Sequence, residues 1–227
     1  MPTDFRLPGP NDRLAIVGRT GTGKTTMAMW LLSQARFDRH PWLIVDYKGE
    51  ELFSQLAKIH RGAITEIGVK DRAPRERGLY VVRPTPAVDD EEIEGLLWRV
   101  WERGRTGIYV DECHLLPNND ALKACLVTGR SRHIPMTIIS QRPVWVPREA
   151  FSEASHHIAF DISRRDDRKI AGEFMMREGD PIPRFPGHES LWHDVVRARR
   201  YAMLPPPHGR ESIRKIAERA PHRMRWF

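Results

Sequence analysis

The chain has 227 residues, with 37 Lys and Arg against 30 Asp and Glu and a formal net charge of +7. That length suffices for one α/β domain with a sizeable core and argues against a second full domain. The positive balance points to a polyanionic partner, the alternative being a basic surface that is merely solvated. No apolar run approaches the length of a membrane span, and Met1-Pro2-Thr3-Asp4 does not read as a signal peptide. The chain is therefore expected to lack a transmembrane segment and to be soluble or docked to something else. Two cysteines, Cys113 and Cys125, allow neither a disulfide framework nor a Cys-x-x-Cys metal site, so free thiols in a reducing cytoplasm are expected.

Residues 1–11 carry three prolines and little periodicity, and read as an arm. Leu14-Ala15-Ile16-Val17 reads as a buried strand, and Thr26 to Ser33 as a helix with Met27, Trp30 and Leu31 on one face. Between them lies Gly18-Arg19-Thr20-Gly21-Thr22-Gly23-Lys24-Thr25, which fits G-x-x-x-x-G-K-[ST] at every fixed position. Glycines there let backbone N–H groups turn inward, and the helix dipole favours an anion. Lys24 can reach β- and γ-phosphates, and Thr25 can hold Mg²⁺. The expected nucleotide contacts are Gly18, Thr20, Gly21, Thr22, Gly23, Lys24, Thr25 and Thr26, with ATP and Mg²⁺ as ligands. A chance match in a glycine-rich turn is the alternative, and the flanking strand and helix weigh against it.

Further along, Trp42-Leu43-Ile44-Val45 is a second strand, ending at Asp46-Tyr47-Lys48-Gly49. Residues 50–60 suggest a helix with Leu52, Leu56 and Ile59 inward, and residues 71–78 are charged and turn-rich. Leu79-Tyr80-Val81-Val82 is a strand closed by Arg83-Pro84. Ile93, Leu96, Leu97, Val100 and Trp101 recur at helical spacing, which predicts an amphipathic helix over 90–103. Ile108-Tyr109-Val110 is the next strand, residues 119–128 a helix, and Met136-Thr137-Ile138-Ile139 a strand ending in Ser140-Gln141-Arg142-Pro143. His157-Ile158-Ala159-Phe160 begins one more. Strands alternating with helices imply an α/β fold of the P-loop NTPase, RecA-like type. Its sheet would be mainly parallel and covered on both faces, with the active site at the C-terminal strand ends. The domain is expected over 12–204. Pro205-Pro206-Pro207 then opens a basic tail, 205–227, with Arg210, Arg214, Lys215, Arg219, Arg223 and Arg225.

Gly107 to Glu112 reads as a Walker B strand. A buried apolar strand would deliver Asp111 to the Mg²⁺ shell, and Glu112 suits a general base for the attacking water. Adjacent acids at a strand end could otherwise be a solvated turn. Gln141 ends the strand after Walker B. In ATPases with an extra strand between the P-loop and Walker B strands, a polar residue there faces the γ-phosphate, and its amide can both donate and accept. The alternative is a polar residue that only caps the strand.

Arg130-Ser131-Arg132-His133-Ile134 followed by Met136 to Pro143 resembles the FtsK/HerA superfamily of DNA-pumping ATPases. That group carries an arginine, an apolar strand and a T-Q-R-P-like end in this order. Asp46-Tyr47-Lys48-Gly49 resembles its D-P-K-G segment, with Tyr47 in place of proline. Ile158 to Ser163 followed by Asp166-Asp167-Arg168 resembles its next strand and loop. The resemblance covers about residues 12–170 and implies a ring of identical subunits, expected to be a hexamer. In such a ring Arg130, or nearby Arg132, would enter the neighbour's nucleotide site. It also implies sequence-independent binding of double-stranded DNA. The chain's compactness resembles the genome-packaging ATPases of tailless double-stranded DNA viruses with an internal membrane. This implies a portal vertex or viral membrane proteins as partners, and a location in the host cytoplasm or virion. The competing readings are a filamentous-phage-assembly or conjugation ATPase of the same superfamily, and a nucleotide-switched adaptor that binds DNA or capsid without pumping. A P-loop nucleotide kinase is disfavoured by Glu112.

Overall fold

The computed structural model describes residues 5–59, 62–116 and 120–220. The strands are β1 Arg13–Val17, β2 Pro41–Asp46, β3 Ile64–Glu66, β4 Gly78–Val82, β5 Gly107–Asp111, β6 Met136–Ser140, β7 His156–Ala159, β8 Ser190–Asp194 and β9 Arg199–Met203. The helices are α1 Lys24–Gln34, α2 Glu51–Ile59, α3 Asp90–Arg103, α4 Asp120–Thr128, α5 Glu149–Ser152, α6 Arg165–Met175 and α7 Gly209–Arg219. All the strands form one sheet in the order β3-β4-β2-β5-β6-β1-β7-β8-β9. Pairing is parallel from β3 across to β7 and antiparallel from β7 to β9.

Helices cover both faces, which is why β1, β2, β4, β5 and β6 are buried at every position. Alternate residues feed two cores. Ala15, Val17, Leu43, Val45, Ile108 and Val110 pack with side chains of α3, α4, α5 and α6. Leu14, Ile16, Ile44 and Tyr109 pack with α1, α2 and α7. The helix expected over 90–103 is observed, with Ile93, Leu96, Leu97 and Val100 buried; Trp101 is only half-buried, edge-on to Trp98. As expected of the RecA-like type, β6 lies between β1 and β5. Cys113 and Cys125 are buried free thiols.

Several elements depart from the sequence reading. β3, β8 and β9 were not anticipated. Asp166-Asp167-Arg168, expected in a loop, lie in the first turns of α6. Residues 209–219, read as part of a basic tail, form α7, which packs on α1 and α2. Ile213, Ile216 and Ala217 are buried there. Arg219 donates to Ser33 O, to Ala35 O at 2.8 Å and to Asp38 at 2.9 Å, so it caps the C-terminal end of α1. The packed unit therefore reaches Ala220. Within the arm, Phe5 meets Trp192 and Tyr201 edge-on at 5.0 and 5.3 Å. Residues 1–4 and the tail's Arg223 and Arg225 lie outside the described residues.

The β7–β8 pair buries two facing histidines, His157 and His193. His157 Nε2 lies 2.9 Å from Phe151 O, and its Nδ1 lies 3.5 Å from His193 Nδ1. Burial pushes the His157 imidazole down to about 4 from an ordinary value of 6.5. Between those values the unfolded chain binds a proton that the fold refuses. Stability from this group is therefore complete above pH 6.5 and is lost as pH falls towards 4. The loss is roughly 3 kcal/mol at about 1.4 kcal/mol per unit. Urea unfolding midpoints should fall over this window in the wild type and fall less in His157→Gln, which can still donate to Phe151. Equal slopes would show that another group titrates.

Candidate active site

The sheet's parallel register brings four strand ends together. Val17 is paired with Ser140, and Asp46 with Asp111. From Val17 the chain enters the glycine-rich loop, where Gly18, Gly21 and Gly23 take φ of +156°, +79° and +103°. A Cβ on Gly18 would lie 2.7 Å from Phe160 Cβ and 3.0 Å from Thr22 Oγ1, so only glycine fits. α1 begins at Lys24 with no side-chain cap and no acid in its first turn, leaving its N–H groups for an anion. Thr22 Oγ1 and Lys24 Nζ donate to Arg19 O at 2.8 and 3.0 Å. Burial, with the Lys48 ammonium nearby, pushes Lys24 down to about 8. Arg19 itself points outward, paired to Asp161 at 3.0 Å.

Opposite the loop lie acids. Asp46 is buried and fully engaged, accepting from Glu50 N at 3.0 and 3.1 Å and from Arg83 Nε at 3.1 Å. Asp111 Oδ1 accepts from Glu112 N at 3.0 Å, while its Oδ2 is buried without a hydrogen-bond partner. Burial pushes the Asp111 carboxyl up to about 6; Glu50 and Asp46 add to this, and Lys48 and Lys24 oppose it. Thr25 Oγ1 donates to Glu50 at 3.4 Å. The unpartnered Asp111 oxygen and the Thr25 hydroxyl are hard oxygen donors, suited to Mg²⁺. Among the described residues no three His, Cys, Asp or Glu side chains could hold a metal by themselves. Such an ion would draw its other ligands from phosphate and water.

Glu112 is 1% exposed and left-handed at φ +52°. Its Oε1 is ion-paired to Lys48 Nζ, and its Oε2 lies 3.2 Å from His114 Nδ1. The same Nδ1 is 3.3 Å from Ser140 Oγ. Burial and the Lys48 and Arg142 cations push His114 below its ordinary value. Gln141, next to Ser140, accepts from Thr20 Oγ1 at 2.5 Å, which ties the end of β6 to the P-loop.

No family model matches the chain. It is 37% identical over 212 residues to the DNA packaging ATPase P9 of Enterobacteria phage PRD1, covering 89% of this chain and 91% of that protein. The chain belongs to this DNA-packaging ATPase family. Among solved structures it resembles the genome packaging NTPase B204 of Sulfolobus turreted icosahedral virus 2, determined with ATP-γ-S. The TM-score is 0.65 at 15% identity, over 87% of this chain and 99% of that one. It also resembles ATPases 2 and 3 of EssC from Geobacillus thermodenitrificans, with a TM-score of 0.60 at 13% identity. That match covers 92% of this chain and 44% of that one. These two likenesses speak for the fold alone, a P-loop ATPase sheet.

In this packaging-family ATPase the structure brings Lys24, Thr25, Asp111, Glu112 and Gln141 to one edge of the sheet. Arg130 lies elsewhere, in the loop before β6 and so at the opposite, N-terminal edge. Its side chain is exposed and has no hydrogen bond or ion pair among the described residues. Arg132 is committed within its own chain: it stacks on Trp101 at 3.7 Å and donates to Trp101 O at 2.9 Å. The sequence reading gave no role to Lys48, Glu50 or His114. Lys48 and Glu50 follow the end of β2 as Glu112 and His114 follow the end of β5, and that parallel was the available signal.

The packing at Gly18 carries a test. Gly18→Ala must push the Phe160 side chain or the loop aside, at a cost of about 1–3 kcal/mol. Nucleotide affinity should fall at least tenfold, and the melting temperature should drop by several degrees. Unchanged affinity would show that the loop does not depend on this close approach.

Proposed function

We propose that this chain is an ATP-driven motor that translocates double-stranded DNA into a viral capsid. The observation that carries the reading is the convergence of the P-loop, Asp111 and Glu112 on one sheet edge in a chain of the DNA-packaging ATPase family. Gly18 to Thr26 and the open N-terminus of α1 bind the phosphates, with Lys24 on the β- and γ-phosphates. Thr25 and Asp111 would hold Mg²⁺, which neutralises phosphate charge when bound. Glu112 orients a water whose oxygen bonds to the γ-phosphorus as the bond to the β–γ bridging oxygen breaks. The water's proton passes to the carboxylate, and ADP and phosphate leave. Gln141 contacts the γ-phosphate side of the loop.

Arg130 acts in trans in a ring of copies, on which a hexamer is the natural reading. Two features support this: its guanidinium has no ion-pair partner among the described residues, and it lies across the sheet from its own nucleotide site. Double-stranded DNA is held through phosphates, because a pump must pass any sequence. The motor works in the infected cell's cytoplasm at a capsid vertex, with portal or viral membrane proteins as docking partners. Among the described residues no helix is long and apolar enough to cross a membrane. α7 is a weaker DNA candidate than its composition implied, since Arg214 and Lys215 pair with Glu218 and Glu211 at 3.6 and 3.2 Å.

Duplex DNA of several sequences should raise ATP turnover alike, and the stimulation should fade steeply with salt. Lys24→Ala should lose binding and turnover together, while Glu112→Gln keeps ATP and loses turnover. Turnover that ignores DNA in an assembled oligomer would favour the non-pumping adaptor. Wild-type turnover in Glu112→Gln would refute its role.

For Arg130→Ala, ATP should bind normally and turn over more slowly, by a factor on the order of 10³–10⁵. Mixed with Lys24→Ala protomers, it should regain activity at interfaces that join one intact site to one intact arginine. Mixed oligomers without recovery would place the trans cation elsewhere.

A further inference from the structure

Both oxygens of Glu112 are buried against other side chains and neither is in a hydrogen bond, so a water has no open approach to them in this arrangement. Oε1 is ion-paired to Lys48, and Oε2 faces His114 Nδ1 at 3.2 Å. His114 is held in place by Ser140 and by the Trp145 ring at 5.8 Å. The two contacts differ in mobility. His114 is a short side chain, 8% exposed, on the turn that follows β5. Lys48 is a long, flexible side chain, 37% exposed, on the loop that follows β2. Its ammonium lies within electrostatic reach of Lys24, Asp111 and His114 alike, so it sits inside the nucleotide site rather than beside it. Two lysines crowd that site, and the anion that would balance both is a triphosphate.

We propose that Lys48 is a second phosphate-binding cation that discriminates ATP from ADP. It neutralises Glu112 when no γ-phosphate is present and moves onto the γ-phosphate of a bound triphosphate, freeing Glu112 Oε1 to receive a proton from water. Lys24 would not discriminate in this way, because a P-loop lysine reaches the β-phosphate as well and so is engaged by a diphosphate. The exchange conserves charge pairing at each stage. Before ATP binds, the buried carboxylate has its counter-ion. Afterwards the γ-phosphate takes the ammonium, and His114 alone keeps the carboxylate oriented. A buried base left permanently against a cation would be a poor proton acceptor, and one left bare would cost stability. Exchange avoids both and ties activation of the base to arrival of the substrate.

This rests on the site being an ATPase, and a double-mutant cycle separates the two claims. Lys48→Met, Glu112→Gln and the double variant are melted without nucleotide, with Mg·ADP and with Mg·ATP-γ-S. In the first two conditions Lys48→Met should lower the melting temperature by several degrees, and by much less in the Glu112→Gln background. With Mg·ATP-γ-S that coupling should vanish. Lys48→Met should weaken ATP-γ-S binding at least tenfold and change ADP binding less than twofold, and Lys48→Arg should restore most of the difference. Coupling of equal size in all three conditions, or equal loss of affinity for both nucleotides, overturns the assignment. Should Lys48→Met fail to fold, Lys48→Gln takes its place in the same cycle. Wild-type protein that hydrolyses no ATP would instead overturn the ATPase reading.

Discussion

A parallel sheet buried on both faces has nowhere to put a polar side chain except at the ends of its strands. Every functional group of this molecule follows from that constraint. β1, β2, β5 and β6 are apolar between their ends, Thr137 in β6 excepted, because helices cover them above and below. Their chemistry begins where the chain leaves the sheet, at Gly18, Asp46, Asp111 and Gln141. Parallel pairing makes all these exits fall on one edge, and the register sets their heights. Asp46 opposite Asp111 is therefore a consequence of the parallel backbone register of β2 and β5.

Collecting those exits concentrates charge. Asp46 is satisfied by Arg83 and the Glu50 amide, but Asp111 is only half satisfied, and its carboxyl is pushed up by burial among other acids. Lys24 is pushed the other way by burial and by Lys48. Carboxylates and ammoniums that each resist their charged form describe a site whose counter-ions come with the ligand. A nucleotide brings anionic phosphates for the lysines, and a divalent cation suits Asp111. The favourable energy of binding then includes the pairing of these charges with the ligand's.

The sheet's other edge has a different role. Arg130 is carried there by the connection from α4 to β6, because a parallel strand must restart at the edge opposite its end. One chain therefore presents its nucleotide loop and Arg130 on opposite edges, and a head-to-tail arrangement of copies would join them. Arg132, two residues on, is stacked on Trp101 and anchors the loop that presents Arg130.

The sequence by itself placed the glycine-rich loop, Asp111-Glu112 and Gln141 at strand ends, because each has a fixed offset from an apolar strand. It also determined the alternation of strands and helices out to β7, apart from the short β3 and α5, since burial on both faces leaves unbroken apolar runs. The tertiary structure decided the rest. β8 and β9 carry Asp194, His193, Arg199 and Arg200, and they read as strands only when β7 and Phe5 offer an edge and a ring to pair with. α7 has a narrow stripe, Ile213, Ile216 and Ala217, amid six charged residues, and composition alone reads it as solvated. What makes it core is the matching face of α1 and α2, which no local pattern contains. The pairing of Lys48 and His114 with Glu112 is likewise tertiary. Lys48 is 64 positions from Glu112 in sequence, and only the lateral pairing of β2 with β5 brings them into contact.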